Sequence, residues 1–161
     1  LLQGPMGPFF SELANWLESK GREAVNVFFN GGDHFYCRPR PVLHYTQPPA
    51  QFAHWLKGVW QPYPFDTPVF FCDCRPFHQA ARRWSNAKGL RFLAFEEGYL
   101  RPHFITLEIG GVNAYSSLPR ESDFYRQLPE MPPRDIQSLQ PSTCQRYRQA
   151  TWYDLIGWFQ Q

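Results

Sequence analysis

Apolar positions along the chain follow two alternating spacings, one typical of a helix buried on one side and one typical of a buried strand. Three segments repeat apolar residues every three or four positions, which predicts helices at 9–20, 49–60 and 77–88. Short apolar runs predict strands at 24–29, 69–72 and 90–95. Strands and helices that alternate in this way are typical of right-handed βαβ units. The pattern therefore predicts an α/β fold, a Rossmann-like parallel sheet with helices on both faces.

This alternation stops after the last of these strands. A short strand at 105–107 and a short helix at 123–128 are predicted, followed by a proline-rich connector and an aromatic helix at 150–160. We therefore expect a Rossmann-like domain at 1–130, and at 131–161 a connector and C-terminal helix that lead toward a second domain absent from this sequence. Because the aromatic helix is apolar around most of its circumference, it needs cover from that domain or from a membrane surface.

Two segments give weaker signals. The first four residues read as the end of a strand whose beginning is missing, which favours a piece of a longer protein. The segment 35–45 contains Pro39 and Pro41, which argue against a central strand.

Composition and charge exclude several classes of protein. Sixteen Lys and Arg against fourteen Asp and Glu leave a net charge of +2, which excludes the strongly basic surface of a nucleic-acid-binding protein. Aromatic residues form 18% of the chain, so it is too hydrophobic to remain disordered. No apolar run reaches the roughly 18 residues of a membrane-spanning helix.

The four cysteines fit free thiols in a reducing compartment. Because a single residue lies between Cys72 and Cys74, their spacing does not match a zinc site, and no metal site is predicted.

Ligands of an open parallel sheet bind beyond the carboxyl ends of its strands, and three of these ends carry suitable residues. The first is a turn with Gly4 and Gly7, whose backbone N–H groups could bind an anion. Because this turn lacks the GxGxxG and P-loop spacings, a tight strand-to-helix turn is favoured. The second permits close approach of a ligand but also reads as a plain turn, and consists of Asn30, Gly31, Gly32 and Asp33. Both turns are candidate substrate-binding segments.

The third end carries the strongest signal, Glu96 and Glu97 followed by Gly98. Adjacent residues of a strand point to opposite faces, so one carboxylate can face a crevice while the other anchors the loop. A carboxylate among aromatic residues at the rim of a sheet is suited to proton transfer or to nucleophilic attack. Solvated turn residues are the alternative that the sequence leaves open.

Further polar side chains accompany these strand ends. Those near the acidic pair suit sugars or phosphates and are Tyr99, Arg101, His103, Asn113 and Ser116. His103 is equally compatible with a place in the core. Another cluster follows the second apolar strand and consists of Asp73, Arg75 and His78. Arg75 suits a bidentate bond to a phosphate or carboxylate, whereas a helix-capping role fits this cluster as well. All of these are candidate substrate-binding residues.

Four blocks of sequence, taken in order, resemble the capsular polysaccharide synthesis and export proteins of Gram-negative bacteria, in particular their β-Kdo transferases. The blocks begin at Leu2, Phe29, Asp73 and Phe95, and the last extends to Asn113. The resemblance implies two Rossmann-like domains facing a cleft, a GT-B-like arrangement of which this chain is the N-terminal, acceptor-side half. It implies transfer of Kdo from CMP-Kdo to a phosphatidylglycerol-type lipid acceptor, which starts a poly-Kdo linker at the cytoplasmic face of the inner membrane.

The acidic block is similar to the acidic-acidic-glycine motif of these enzymes and of bacterial sialyltransferases, in which an acid is needed for catalysis. On that match Glu97 is the first candidate for the catalytic carboxylate and Glu96 the second. The catalytic acid could act as a nucleophile, as a general base or as electrostatic support for the transition state, and the sequence leaves these roles open. The resemblance implies no cofactor beyond the donor CMP-Kdo, and the sequence has no Asp-x-Asp motif for Mg²⁺. It also implies partners in the capsule biosynthesis and export machinery.

One feature of the family departs from this sequence. The His-Pro motif associated with the CMP phosphate belongs to the family's C-terminal half, and no His-Pro dipeptide occurs in the chain. We therefore expect the chain on its own to be inactive in Kdo transfer. Two alternatives stay open: a non-catalytic carbohydrate- or protein-binding module of capsule assembly and export, in which the glutamates are structural, and a sialyltransferase-like enzyme.

Overall fold

The computed structural model describes residues 1–2, 4–5, 7–36, 41–98 and 104–130. Five helices are formed in these segments: α1 (Phe9–Ser19), α2 (Gly31–Phe35), α3 (Phe52–Trp60), α4 (Pro76–Ala87) and α5 (Ser122–Arg126). Five strands accompany them: β1 (Asn26–Phe28), β2 (Val42–His44), β3 (Val69–Phe71), β4 (Leu93–Glu97) and β5 (Ile105–Ile109). Two short 3₁₀ turns lie at Pro49–Gln51 and Asn113–Tyr115.

The strands form a mixed sheet in the order β2, β1, β3, β4, β5, with Leu2 between β1 and β3. The pairs β1–β2 and β3–β4 are parallel, and Leu2 bridges Val27 and Phe70, also in parallel. In contrast, β5 runs antiparallel to β4. The prediction of a purely parallel sheet is wrong at this edge, because only seven residues separate Glu97 from Ile105 and a parallel connection needs about a dozen.

Helices cover both faces of the sheet, as the hydrophobic pattern predicts. On one face Phe70 lies in a buried cluster with Phe52 of α3 and Trp84 of α4. On the other face Phe71 packs against Phe10 of α1. Successive residues of β3 therefore enter two different apolar layers, and each fully buried aromatic side chain stabilises the fold by about 1.5–3 kcal/mol.

The predicted helices at 9–20, 49–60 and 77–88 are confirmed, with the second opening as a 3₁₀ turn at Pro49. The strands are also confirmed, and β4 lies at Leu93–Glu97 rather than at 90–95, so that the acidic pair closes it. The short strand β2 falls in the segment that contains Pro39 and Pro41. It pairs with β1 along one side in the described part of the chain, which agrees with the argument against a central strand.

The connector and aromatic helix predicted at 131–161 lie outside the described residues, so the proposed domain boundary stays a prediction. Within the described segments, none of the helices is both long enough and apolar enough to span a bilayer.

Candidate functional site at the carboxyl end of the sheet

The acidic pair forms the last two residues of β4, and its side chains lie on opposite faces of the sheet. The Glu96 carboxylate is half-buried. Its Oε2 accepts a hydrogen bond from Nδ2 of Asn113 at 2.9 Å, and its Oε1 accepts one from the backbone N–H of Glu97, also at 2.9 Å. Glu97 itself is exposed. One carboxylate therefore anchors the loop while the other faces solvent, which is the division that the strand alternation predicts.

Asn113 is held in place by the turn that follows β5. Its backbone has φ 53°, a left-handed conformation that Asn adopts more readily than most residues. A Cβ at Gly111 (φ 146°) would lie 2.6 Å from Cβ of Tyr115, so the turn packs too closely for a side chain there. The guanidinium of Arg82, from α4, stacks 3.4 Å above the Tyr115 ring. These contacts fix the position of the Asn113 amide.

The carboxylate of Asp73 connects the loop after β3 with this turn. Asp73 is fully buried, and its Oδ2 accepts a hydrogen bond from the Val112 N–H at 3.0 Å. Its Oδ1 accepts a hydrogen bond from the Cys74 thiol at 3.3 Å. That hydrogen bond, with a further contribution from burial, raises the pKa of the Cys74 thiol to about 11. The thiol therefore stays protonated at neutral pH.

Cys72, Asp73 and Cys74 place three possible metal-ligand atoms within 4.8 Å of one another. In the structure the Asp73 carboxylate is engaged by Val112 and Cys74 instead. The absence of a functional metal site stays a prediction from the sequence.

His78 belongs to the first turn of α4, and its ring is fully buried and stacked on Phe70, with ring centroids 5.6 Å apart. Burial, aided by the nearby charge of Arg75, lowers the pKa of His78 to about 4. The ring is therefore neutral at pH 7. Asp73 and His78 are both inaccessible to solvent, and their substrate-binding roles stay predictions.

The turn Asn30–Asp33 proves to be the start of helix α2. Oδ2 of Asp33 accepts hydrogen bonds from the N–H groups of Phe29 and Asn30 at 2.8 and 3.3 Å, and Oδ1 of Asn30 accepts one from the Asp33 N–H at 3.1 Å. This is a capping box, and it gives both polar residues a structural role. Gly31 and Gly32 form the first turn of the helix. A ligand role for this segment stays a prediction.

Arg75 is exposed and lies between two of the predicted clusters. Burial raises the pKa of Asp33, whereas the N–H groups of Phe29 and Asn30 and the charge of Arg75 oppose this shift. The charge of Arg75 also acts on His78. Arg75 is thus an accessible cation whose charge acts on both Asp33 and His78, and its phosphate- or carboxylate-binding role stays a prediction.

Gly4 and Gly7 precede α1, and each has a structural reason to be glycine. A Cβ at Gly4 would approach the Phe10 ring to 3.0 Å, and Gly7 has φ 111°, which other residues rarely adopt. Anion binding by this turn stays a prediction.

Ser116 contacts a carboxylate that the sequence did not single out. Its hydroxyl donates to Oε2 of Glu108 at 2.6 Å, and the Ser117 N–H donates to the same oxygen at 3.2 Å. Glu108 is only 9% exposed. Glu108 and Arg82 are the two residues of this region that sequence reasoning missed. The available signal was the single acidic residue within the apolar strand at 105–109.

On β5 the apolar side chains face outward and an acidic side chain faces the core, which is the opposite of the usual arrangement in a strand at the edge of a sheet. Ile105, Leu107 and Ile109 are 50%, 50% and 56% exposed, whereas Glu108 points to the buried side. Tyr99, Arg101 and His103 lie outside the described residues. Of the predicted site residues, the structure thus joins Glu96 to Glu97 and Asn113 by hydrogen bonds, while Asp73 is linked to the same turn through the N–H of Val112.

Residues 67–160 match the family model described as "Capsule polysaccharide biosynthesis protein". The match covers more than half of the chain and contains β3, α4, β4 and β5 together with the acidic pair. The chain belongs to this family. The resemblance inferred from the four sequence blocks is therefore confirmed.

Proteins with similar sequences and capsule-related names support the assignment. The chain is 64% identical over 158 residues to the "Capsule polysaccharide export protein KpsS" of Escherichia coli, a match that covers 98% of the chain and 41% of that protein. It is 38% identical over 144 residues to the "Capsule polysaccharide modification protein LipB" of Neisseria meningitidis serogroups A and B, covering 88% of the chain and 34% of those proteins. The chain thus spans about two-fifths or less of the length of these relatives. No solved structure matches it significantly.

Proposed function

We propose that the chain is the acceptor-side half of a GT-B-like β-Kdo transferase, which transfers Kdo from CMP-Kdo to a phosphatidylglycerol-type lipid acceptor at the cytoplasmic face of the inner membrane. The observation that carries this proposal is the acidic end of β4, where Glu97 is exposed while Glu96 is held by Asn113. This end lies at the carboxyl edge of the sheet, where open α/β folds bind ligands. Membership in a capsule polysaccharide family supports a sugar substrate.

The transfer breaks the bond between the anomeric carbon of Kdo and the phosphate oxygen of CMP, and forms a bond from that carbon to a hydroxyl oxygen of the acceptor. The hydroxyl proton has to pass to a base, and CMP leaves with the electrons of the broken bond. A carboxylate at Glu97 can accept that proton, attack the anomeric carbon, or balance the charge of an oxocarbenium-like transition state. The donor would be bound by residues outside this chain, so we expect residues 1–161 alone to be inactive.

The test is an assay of the full-length protein with CMP-Kdo generated in situ and a lyso-phosphatidylglycerol acceptor. Glu97→Gln removes the charge with little change of shape, and we expect a loss of activity of about 1,000-fold. Glu23→Gln, the same substitution at an exposed glutamate of the loop before β1, is the matched control and should keep full activity. Near-normal transfer by Glu97→Gln contradicts the proposal, as does appreciable turnover by residues 1–161 alone.

The second candidate is a non-catalytic binding module of capsule assembly and export. The exposed aliphatic face of β5 favours it, because Ile105, Leu107 and Ile109 present a contiguous apolar surface suited to a protein partner. In this case Glu97→Gln would leave capsule production in cells unchanged, whereas Leu107→Lys would reduce it. The opposite pattern supports the transferase.

A further inference from the structure

We propose that Glu96 is a positioning residue rather than the reacting carboxylate, and that Asn113 acts through it to fix the backbone of Glu97. This inference rests on the proposed function, because it assigns separate roles to the two acids of the same site.

The first step of the argument is the geometry of the Glu96 carboxylate. Its two oxygens are used on two different segments: one accepts the Asn113 amide and the other accepts the N–H of Glu97. Each contact is 2.9 Å long, a normal distance for a charge-assisted hydrogen bond. The carboxylate thereby joins the turn after β5 to the backbone of the residue that would react.

The second step is the rigidity of the turn that carries Asn113. Asp73 accepts the N–H of Val112, the residue directly before Asn113, and Asp73 is fully buried. The Tyr115 ring, at the other end of the same 3₁₀ turn, is covered by Arg82. Because the turn is fixed on both sides of Asn113, its amide can hold the Glu96 side chain in one place.

The third step is the difference in accessibility. Glu96 is half-buried between two hydrogen-bond donors, whereas Glu97 is exposed on the opposite face. A group that reacts with a substrate has to reach it, while a group that orients its neighbour benefits from being held. A displacement of about 1 Å at a reacting group can lower a rate about 100-fold, so fixing the Glu97 backbone is a sufficient role for Glu96.

The experiment exchanges the donor and the acceptor of the Asn113–Glu96 pair in the full-length protein, with the transfer assay described above. Asn113→Asp places two carboxylates against each other, and we expect kcat to fall about 50-fold with KM values within about threefold of the parent. Asp tolerates the left-handed backbone of this position nearly as well as Asn, so the turn itself is kept. Glu96→Gln should retain activity within about fivefold, because the Gln oxygen still accepts the Glu97 N–H and the Asn113 amide can rotate to accept from the Gln NH₂.

The double variant Asn113→Asp with Glu96→Gln restores an amide–carboxylate hydrogen bond with its direction reversed. We expect the double variant to recover activity to within about threefold of Glu96→Gln. The thermal unfolding midpoints of the parent, the two single variants and the double variant should lie within about 3 °C of one another. If Glu96→Gln and the double variant are as inactive as Glu97→Gln, then Glu96 reacts directly and the positioning role is wrong. If Asn113→Asp keeps full kcat, the contact has no functional effect and the inference is also wrong.

These outcomes can be told apart from failure of the proposed function. Loss of the transferase assignment would show as normal activity of Glu97→Gln or as the absence of transfer by the parent protein. Neither result depends on the behaviour of the Asn113 and Glu96 variants.

Discussion

The amide of Asn113 lies 2.9 Å from Oε2 of Glu96, although the two residues are 17 positions apart in the sequence. Because β5 runs antiparallel to β4, it ends with Ile109 beside Leu93, at the start of β4. The Gly110 N–H donates to the carbonyl of Phe92, and the turn that follows, with positive φ at Gly111 and Asn113, brings the Asn113 amide back to Glu96. The turn after β5 thus supplies the group that holds the Glu96 carboxylate.

Gly98 follows the acidic pair at a point where the backbone leaves no room for a side chain. A Cβ there would lie 2.1 Å from the carbonyl oxygen of Phe104, which accepts the Gly98 N–H at 2.8 Å. We expect Gly98→Ala to separate the end of β4 from the start of β5 and to lower the free energy of unfolding by about 3 kcal/mol. Gly58→Ala in α3 is the matched control, because nothing lies within 4 Å of its Cβ position.

Gly58→Ala should raise the free energy of unfolding by up to about 1 kcal/mol, since alanine is the better helix former. Urea unfolding of both variants measures the difference. Equal shifts for the two substitutions would show that the packing of Gly98 against Phe104 is not as close as described.

Cys72 has φ 64°, a left-handed conformation that is unfavourable for a residue with a side chain. Replacement by glycine removes this strain, and after the extra chain entropy of glycine we expect a gain of about 0.5–1 kcal/mol in the free energy of unfolding. Cys74→Gly is the control and should be destabilising, because Cys74 lacks the positive φ and donates its thiol to Asp73. Denaturant unfolding under reducing conditions compares them, and a loss of stability in Cys72→Gly would refute the strain argument.

The thiol of Cys74 is exposed, yet it should react slowly with alkylating reagents. Its pKa of about 11 leaves little thiolate at pH 8, so we expect iodoacetamide to modify it about 100-fold more slowly in the folded chain than in urea. Asp73→Asn removes the charge that holds the thiol proton and should accelerate the reaction. Peptide-level mass spectrometry measures both rates separately from the other cysteines. Equal rates in the folded and unfolded chain would contradict the Cys74–Asp73 hydrogen bond.

The buried ring of His78 makes the stability of the fold depend on pH. The pKa of His78 is about 4 in the folded chain against 6.5 for an ordinary histidine, so below pH 6.5 the unfolded chain binds the additional proton first. The neutral His78 ring therefore contributes fully to the free energy of unfolding above pH 6.5. This contribution is lost as the pH falls toward 4. His78→Phe keeps an aromatic ring against Phe70 and removes the titration.

We expect the loss of stability between pH 7 and 4.5 to be smaller in His78→Phe than in the parent chain by about 2 kcal/mol. Urea unfolding at both pH values gives the comparison. If the two proteins lose stability in parallel, His78 is protonated in the fold and is not buried as a neutral ring.

The elements of this fold could be predicted from the sequence because they depend on neighbouring residues. The helix of residues 9–19 shows its buried side through the spacing of its apolar residues, and the strand at 69–71 through its unbroken apolar run. The opposite orientation of Glu96 and Glu97 followed from strand geometry alone. These predictions needed no knowledge of distant parts of the chain.

The contacts that organise the site could not be predicted in the same way. The hydrogen bond between Asp73 and Val112 joins residues 39 positions apart. The sequence around neither residue indicates that the two are in contact. The orientation of β5 could not be predicted either, because the sequence alone favours Ile105 and Leu107 as core residues. In the structure the antiparallel pairing places Glu108 on the buried side instead. Long-range pairing decides which side of such a strand is covered.

Leu2 pairs with Val27 on one side and with Phe70 on the other, and in the described segments it is the residue that connects the two pairs of parallel strands within the sheet. The Leu2 N–H donates to Val69 and the Val27 N–H donates to the carbonyl of Leu1. Leu2, Val27 and Phe70 also belong to one buried cluster with Phe52 of α3 and Trp84 of α4. Loss of the Leu2 side chain would therefore leave a cavity shared by both pairs of parallel strands and by the helices that cover them.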